Sequence, residues 1–302
     1  MLTPEQAQDI ATHLVELARA GGASAADAML VADMSSSVTV RLGELEDVSR
    51  SEGQEVGLRV FAGQRSASVA SSDFSPEALA GLVERAVAMA NEAPEDPYAG
   101  LAAAELLLSG AAPDFDGFDP HEPEPAELRA MALRAEMAAR GVAGVTNSNG
   151  ASGSASRSTV ALATSGGFAG CYRASGFSVS AGVIAGEGPT MQRDYDYHSA
   201  RHFSDLDEAE AIGSRAAERA VARVGPVKPD PGRYPVLFDP RVSSSLLGHL
   251  SGAINGAAVA RGTSFLLERL GERVFAPGIT VRDEPHRPRG LRSRPFDGEG
   301  LP

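Results

Sequence analysis

Between Val142 and Tyr197 the chain is rich in Gly, Ser, Thr, Ala and Val, and within it Phe177-Ser178-Val179-Ser180-Ala181-Gly182-Val183 alternates with period two. A small, polar, glycine-rich run could be a flexible linker. Period-two alternation selects sheet instead, because it sends one set of side chains to a buried face. The spacing predicts a meander over 142–149, 156–164, 168–185 and 190–197, with Asn149-Gly150 and Gly166-Gly167 as hairpin turns. With no tryptophan and only 5% aromatic residues, the core has to be built from Ala, Leu and Val.

The first hundred residues mix both periods. Thr3-Pro4-Glu5-Gln6 is a helix start: a capping hydroxyl, Pro at the first helical position, then an acid near the positive end of the dipole. Ile10, Leu14, Leu17 and Ala18 form its apolar stripe, and Gly21-Gly22 ends it. Strand signals follow at Ala28–Val31, Ser37–Leu42, Val56–Phe61 and Ser66–Ala70, with Gly63-Gln64 as a hairpin loop. Ser75-Pro76-Glu77 opens a second helix, with Leu79, Leu82, Val83, Ala86, Val87 and Ala90 on its buried side.

The resulting organisation is α+β. Residues 1–108 form an N-terminal helix–antiparallel sheet–helix domain, and 109–125 an acidic Pro-rich linker. Residues 126–228 form a central domain (helix 126–140, β-meander, helix 205–224). Residues 229–302 are the start of a third α+β domain, with a strand at Tyr234–Phe238, a helix over 241–258 and coil from Pro285 onward.

Forty acidic against 27 basic residues leave a net charge of -13, which repels a phosphate backbone, so no nucleic-acid partner is expected. One cysteine, Cys171, excludes a disulfide framework and a thiolate metal cluster. The N-terminus has no basic segment, and no apolar run approaches a membrane span. No membrane association and a cytoplasmic location are the expectation.

Motif searches exclude more than they assign. There is no phosphate-binding G-x-x-x-x-G-K; Gly150-Ala151-Ser152-Gly153-Ser154 misses a nucleophile elbow by one position; Gly186-Glu187-Gly188 does not complete a dinucleotide fingerprint. His121-Glu122 begins like a zinc helix, but Pro123 and Pro125 break it. His198 and His202 are four apart, with Asp194, Asp196 and Asp205 nearby, an autonomous metal site if they share a face; set against that is a strand end running into a loop.

The segment around His249 stands out. Gly248, Ser251, Gly252, Ala253, Gly256 and Ala257 give one predicted helix a nearly bare side. Interior glycine costs about 1 kcal/mol relative to alanine, so several need an offsetting reason. Close approach of another backbone or a peptide is one; a tightly packed core helix with His249 hydrogen-bonded inside is the other.

Leu246-Leu247-Gly248-His249-Leu250-Ser251-Gly252-Ala253-Ile254, Arg261-Gly262-Thr263-Ser264-Phe265-Leu266 and Pro295-Phe296-Asp297-Gly298-Glu299-Gly300 resemble the TldD/PmbA family, also known as modulators of DNA gyrase. Met191-Gln192-Arg193-Asp194-Tyr195 and Glu44, Gly57 and Arg59 follow the same pattern. The resemblance implies a two-subunit metalloprotease that degrades unfolded peptides and trims leader or antitoxin segments. It places the metal-binding His, Glu and His at Leu247, Gly248 and Gly252, so it implies a PmbA/TldE-type, metal-free subunit with no catalytic residue of its own. His249 lies one residue off that register. Zinc is then expected in a TldD-type partner, with Gly248, His249, Gly252, Asn255, Gly256, Arg261, Thr263 and Ser264 as candidates for a peptide channel or subunit interface. The alternatives are an autonomous peptidase using His198 and His202, or a non-enzymatic interaction protein acting on gyrase or an antitoxin. The resemblance also implies a β-rich region beyond Pro302, so the chain reads as a C-terminally truncated member.

Overall fold

The computed structural model describes residues 2–302. One compact unit takes in the chain as far as Pro226 and again Glu284–Pro302; Val227–Asp283 form a second.

The first unit is organised by a six-stranded antiparallel sheet in the order β3-β2-β1-β4-β5-β6. Its strands are β1 (Ala25–Arg41), β2 (Glu44–Ala62), β3 (Arg65–Ser71), β4 (Val145–Thr164), β5 (Ala169–Ala185) and β6 (Gln192–Ala200). Helices α1 (Pro4–Ala20), α2 (Pro76–Glu92), α3 (Pro125–Arg140) and α4 (Ala209–Ala222) complete the unit. The α+β class holds. The N-terminal and central strands share one sheet, because β1 and β4 pair from Asp27↔Thr164 to Val40↔Ala151.

Local chemistry sets the element ends. The Thr3 hydroxyl accepts from the Gln6 amide at 3.2 Å, and the Gln6 side chain accepts from the Thr3 amide at 3.0 Å, a reciprocal capping box. Ser75 caps α2. Gly63-Gln64 and Gly166-Gly167 do turn the chain between strands, each with a glycine at positive φ.

Four expectations are corrected. Ala28–Val31 and Ser37–Leu42 are parts of one strand, β1, because Ser35 and Ser36 keep their place in both ladders. Asn149-Gly150 is no turn: it lies inside β4 at a register shift, where Gly150 adopts φ +95° and the Ser148 hydroxyl accepts from its amide at 3.0 Å. The helix expected over 205–224 starts only at Ala209, after a short 3-10 turn at Phe203–Asp205. Tyr234–Phe238 forms no strand: no ladder is available to it in its unit, and Val236 and Leu237 stand exposed.

The core divides by sheet face. On one face α1 and α2 cover β1–β3 and part of β4 through Leu14, Leu30, Leu58, Leu82 and alanines. Further along that face α3 and α4 pack Leu128, Ala135, Ile212 and Ala216 onto Val38, Val40, Ala151 and Val179. The opposite face buries Leu162, Phe168 and Phe296, with Met29 and Tyr172 packed against them. The stretch 109–124 has no helix or strand, yet Phe115 is buried and meets Tyr172 edge-on at 6.0 Å.

Candidate functional site

In the second unit, Asp239 caps α5 (Pro240–Ile254) by accepting from the Arg241 amide at 2.9 Å. The helix stops at Asn255, whose backbone is extended (φ −64°, ψ 128°) and whose side chain accepts from the Ala257 amide at 3.0 Å. Asn255 thereby starts a separate short helix, α6 (Gly256–Ala260). Gly248 and Gly252 share one face of α5, but Gly256 belongs to another helix.

The remaining candidates build the corner after α6. The Arg261 amide closes α6 onto the Ala257 carbonyl at 3.1 Å. The Thr263 hydroxyl donates to the Ala258 carbonyl at 3.2 Å, and the Ser264 hydroxyl donates to the Ala253 carbonyl at 2.6 Å while accepting from the Leu266 amide. Ser264 thus ties the corner back to α5, and its polar group serves the backbone.

The core-helix reading of α5 is overturned. Ala253 is its sole buried residue among those described, and His249 is exposed. A Cβ added at Gly248, Gly252 or Gly256 would meet nothing within 4 Å. The physical reason is that Val227–Asp283 contain only α5 and α6 as regular elements, too little to enclose a helix. Within this unit nothing packs against the bare side of α5.

Residues His198 and His202 do not converge on a common site. His198 Nδ1 accepts from the Asp207 amide at 3.1 Å, whereas His202 Nε2 lies 3.0 Å from the Asp116 carbonyl and 3.1 Å from its carboxylate. The nearby aspartates are engaged by arginines. Arg215 and Arg219 both bind the buried Asp196, and Arg223 reaches Asp194 at 3.2 Å. Residues two apart on β6 face one way, and residues four apart on α4 line one helix face, so the Asp194/Asp196 pair meets an arginine ladder.

The end of the chain returns to the sheet. Phe296 packs on Phe168 and Tyr172 at centroid distances of 4.8 and 5.4 Å. Arg289 binds the Asp116 and Asp205 carboxylates. Arg59 donates to Asp27 at 2.8 Å and reaches Glu299 at 3.4 Å. Sequence pattern flagged Arg59 and Glu299 separately; only the fold shows that they touch.

Burial pushes the Asp27 carboxyl above its ordinary 3.8, against the pull of Arg59. Burial also works to lower the Arg59 guanidinium, but there Asp27 and Glu299 win. The two partners weigh burial against attraction differently. The direction at Asp27 governs, since its side chain is 11% exposed against 33% for Arg59. The folded chain therefore holds the Asp27 proton more tightly than the unfolded one. This group's share of stability falls as pH rises from 3.8 through the raised value. Asp27→Asn is expected to flatten that slope, measured by urea unfolding at successive pH steps upward from 3.8. An unchanged slope would show that another group sets it.

Comparisons with known proteins agree with this architecture. Family models match in three successive blocks: PmbA/TldA metallopeptidase domain 1 over residues 26–90, the central domain over 118–224 and the C-terminal domain over 231–302. The Escherichia coli O157:H7 protein named Metalloprotease PmbA is 38% identical over 266 residues, 88% of this chain and 59% of that protein. A Bacteroides thetaiotaomicron crystal structure, named for modulation of DNA gyrase, superposes with a TM-score of 0.91 at 26% identity, covering 100% of this chain and 69% of that one. TldE from Thermococcus kodakarensis shares the fold, with a TM-score of 0.76 at 19% identity over 96% of this chain and 65% of its own. The chain spans 59% of the length of the Escherichia coli relative. No helix among the described residues is long and apolar enough to cross a membrane. On sequence and fold together, the chain belongs to the PmbA/TldD family.

Proposed function

We propose that this chain is the metal-free subunit of a two-subunit cytoplasmic metalloprotease acting on unfolded peptides or on leader and antitoxin segments, with zinc held by a TldD-type partner. The observation that carries this reading is the content of α5. A zinc peptidase helix needs imidazole ligands and a carboxylate to activate water. From Pro240 to Ile254 there is one imidazole, His249, and no Asp or Glu, and Leu247, Gly248 and Gly252 occupy the ligand and base positions that the resemblance assigns. These residues do not fit a metal, and no catalytic step is assigned to them. The likeness to Thermococcus kodakarensis TldE supports the subunit reading at the level of fold. The rival site at His198 and His202 finds no support, since its rings and aspartates are turned to separate partners.

In this reading the open side of α5 receives the partner or the peptide. Gly252→Leu is expected to leave the thermal stability of the chain alone unchanged, because the new side chain enters open space, and to weaken co-elution with a TldD-type subunit. Elemental analysis after dialysis is expected to find less than one zinc per chain, and chelator-sensitive cleavage of an unfolded test peptide only in the mixed sample. One tightly held zinc per chain, lost in His198→Ala or His202→Ala, would overturn the metal-free assignment. Unaltered co-elution of Gly252→Leu would remove α5 from the interface.

A further inference from the structure

We propose that the outer edge of β2 between Glu44 and Glu55 is a docking site for a basic polypeptide segment in extended conformation. The inference goes beyond the subunit reading and does not depend on it, since the chain alone carries the surface.

The ladder shows why the edge is open. β2 pairs with β1 along its whole length, from Arg41↔Glu44 to Ala25↔Phe61. On its other side β3 pairs only with Val56–Ala62. Among the described residues, the twelve from Glu44 to Glu55 therefore have a strand on one side and none on the other, and all twelve are exposed. At about 3.4 Å per residue this edge is about 40 Å long. An unpaired edge is a template for another strand, and proteins usually blunt it with Lys, Pro or short length. This edge has no Lys and no Pro, and it is long.

Charge selects the occupant. Within residues 44–55 the acids Glu44, Glu46, Asp47, Glu52 and Glu55 outnumber the single base Arg50, and Glu46 also lies 3.9 Å from Arg41. A second copy of β2 would bring carboxylates opposite carboxylates, which is destabilising, whereas a Lys- or Arg-bearing strand would pair with them. The acids thus guard the edge against self-pairing while leaving it competent for a cationic strand. Beside the edge lies a groove of about 230 Å³ lined by Met34, Val38, Val48, Arg50, Pro123 and Leu128. Val48 and Arg50 belong to the edge strand itself and form one wall of the groove, whose lining also includes Glu122, Glu124 and Arg157. Main-chain pairing with alternate side chains in pockets is the general mode of strand addition.

The test uses a labelled peptide of about ten residues with lysine alternating with valine, an acidic analogue with glutamate for lysine, and a basic analogue interrupted by proline. Fluorescence anisotropy is expected to show the basic peptide binding at least about tenfold tighter than either analogue. Amide hydrogen exchange is expected to slow within residues 44–55. The triple charge reversal Glu44→Lys, Asp47→Lys, Glu55→Lys lies on exposed positions of one strand face, and its fold is checked by circular dichroism. It is expected to weaken the basic peptide by at least about tenfold. Absence of binding, equal binding of the proline-interrupted peptide, protection confined to another region, or self-association through β2 would each overturn the proposal.

Discussion

Gly213→Ala is expected to destabilise the protein by about 3 kcal/mol or more, lowering its melting temperature by roughly 6–12 °C. Alanine is ordinarily the better helix former by about 1 kcal/mol, so the sign depends on space alone. A Cβ at Gly213 would lie 1.9 Å from the Ala135 carbonyl oxygen and 3.0 Å from the Ala139 amide nitrogen. Both are backbone atoms of α3, which cannot swing aside as a side chain would. Helices α3 and α4 must separate, and the layer that buries Ile212 and Ala216 against Leu128 and Ala135 opens with them. Gly81→Ala, on the exposed side of α2 with nothing within 4 Å, is the control and is expected to stabilise by about 0.5–1 kcal/mol. Thermal unfolding of the two variants side by side is the measurement. A neutral Gly213→Ala would mean the α3–α4 crossing is looser than the structure has it.

The second large effect is expected at Glu136, which is 1% exposed in the middle of α3. Its carboxylate accepts from the Leu42 amide at 2.7 Å, from the Gly43 amide at 2.8 Å and from the Ser148 hydroxyl. Leu42 and Gly43 form the tip of the β1–β2 hairpin with φ of 55° and 87°, the paired left-handed conformation of a two-residue turn. A leucine adopts it only at a cost. Glu136 offsets that cost by satisfying both turn amides at once. Glu136→Ala removes three hydrogen bonds to a charged group and leaves their donors short of partners, an expected loss of about 3–5 kcal/mol. Denaturant unfolding gives the magnitude. Adding Leu42→Gly is expected to recover part of it, because glycine takes φ of 55° without strain. No recovery would place the loss in the Ser148 contact instead.

These residues also show how far the sequence could be read. The caps at Thr3 and Ser75, the turns at Gly63 and Gly166 and the alternation in β5 are local signals, and each was legible because its cause lies within a few residues. Strand continuity was not, since Ser35-Ser36-Ser37 carries no apolar alternation and stays extended only through ladders on both sides. Asn149-Gly150 has the residues of a hairpin turn and forms a bulge because β5 stays paired with β4 on both sides of it. A glutamate in a helix reads as solvent-facing, so nothing near Glu136 announces that a turn far earlier in the chain needs its carboxylate. The pairing of Arg215, Arg219 and Arg223 with Asp194 and Asp196 was not legible, because it emerges only from the packing of α4 on β6. On α5 the exposure of the helix was not legible, because its glycines read equally well as a close-packing face.

The partnership of β1 and β4 has a consequence for the order in which the protein can assemble. During synthesis β1 can zip to β2 as soon as the turn at Leu42-Gly43 is made, a contact between near neighbours. Its opposite edge, however, must wait for Ala151–Thr164, the residues that face Val40 back to Asp27. Through that interval a long strand rich in Ala, Val and Met has one row of amides and carbonyls unclaimed, and closing so large a loop is slow. The nascent chain is then most vulnerable to misassembly between the appearance of β1 and the arrival of β4. Translation speed through residues 42–164 therefore bears on yield more than speed through the segments that follow.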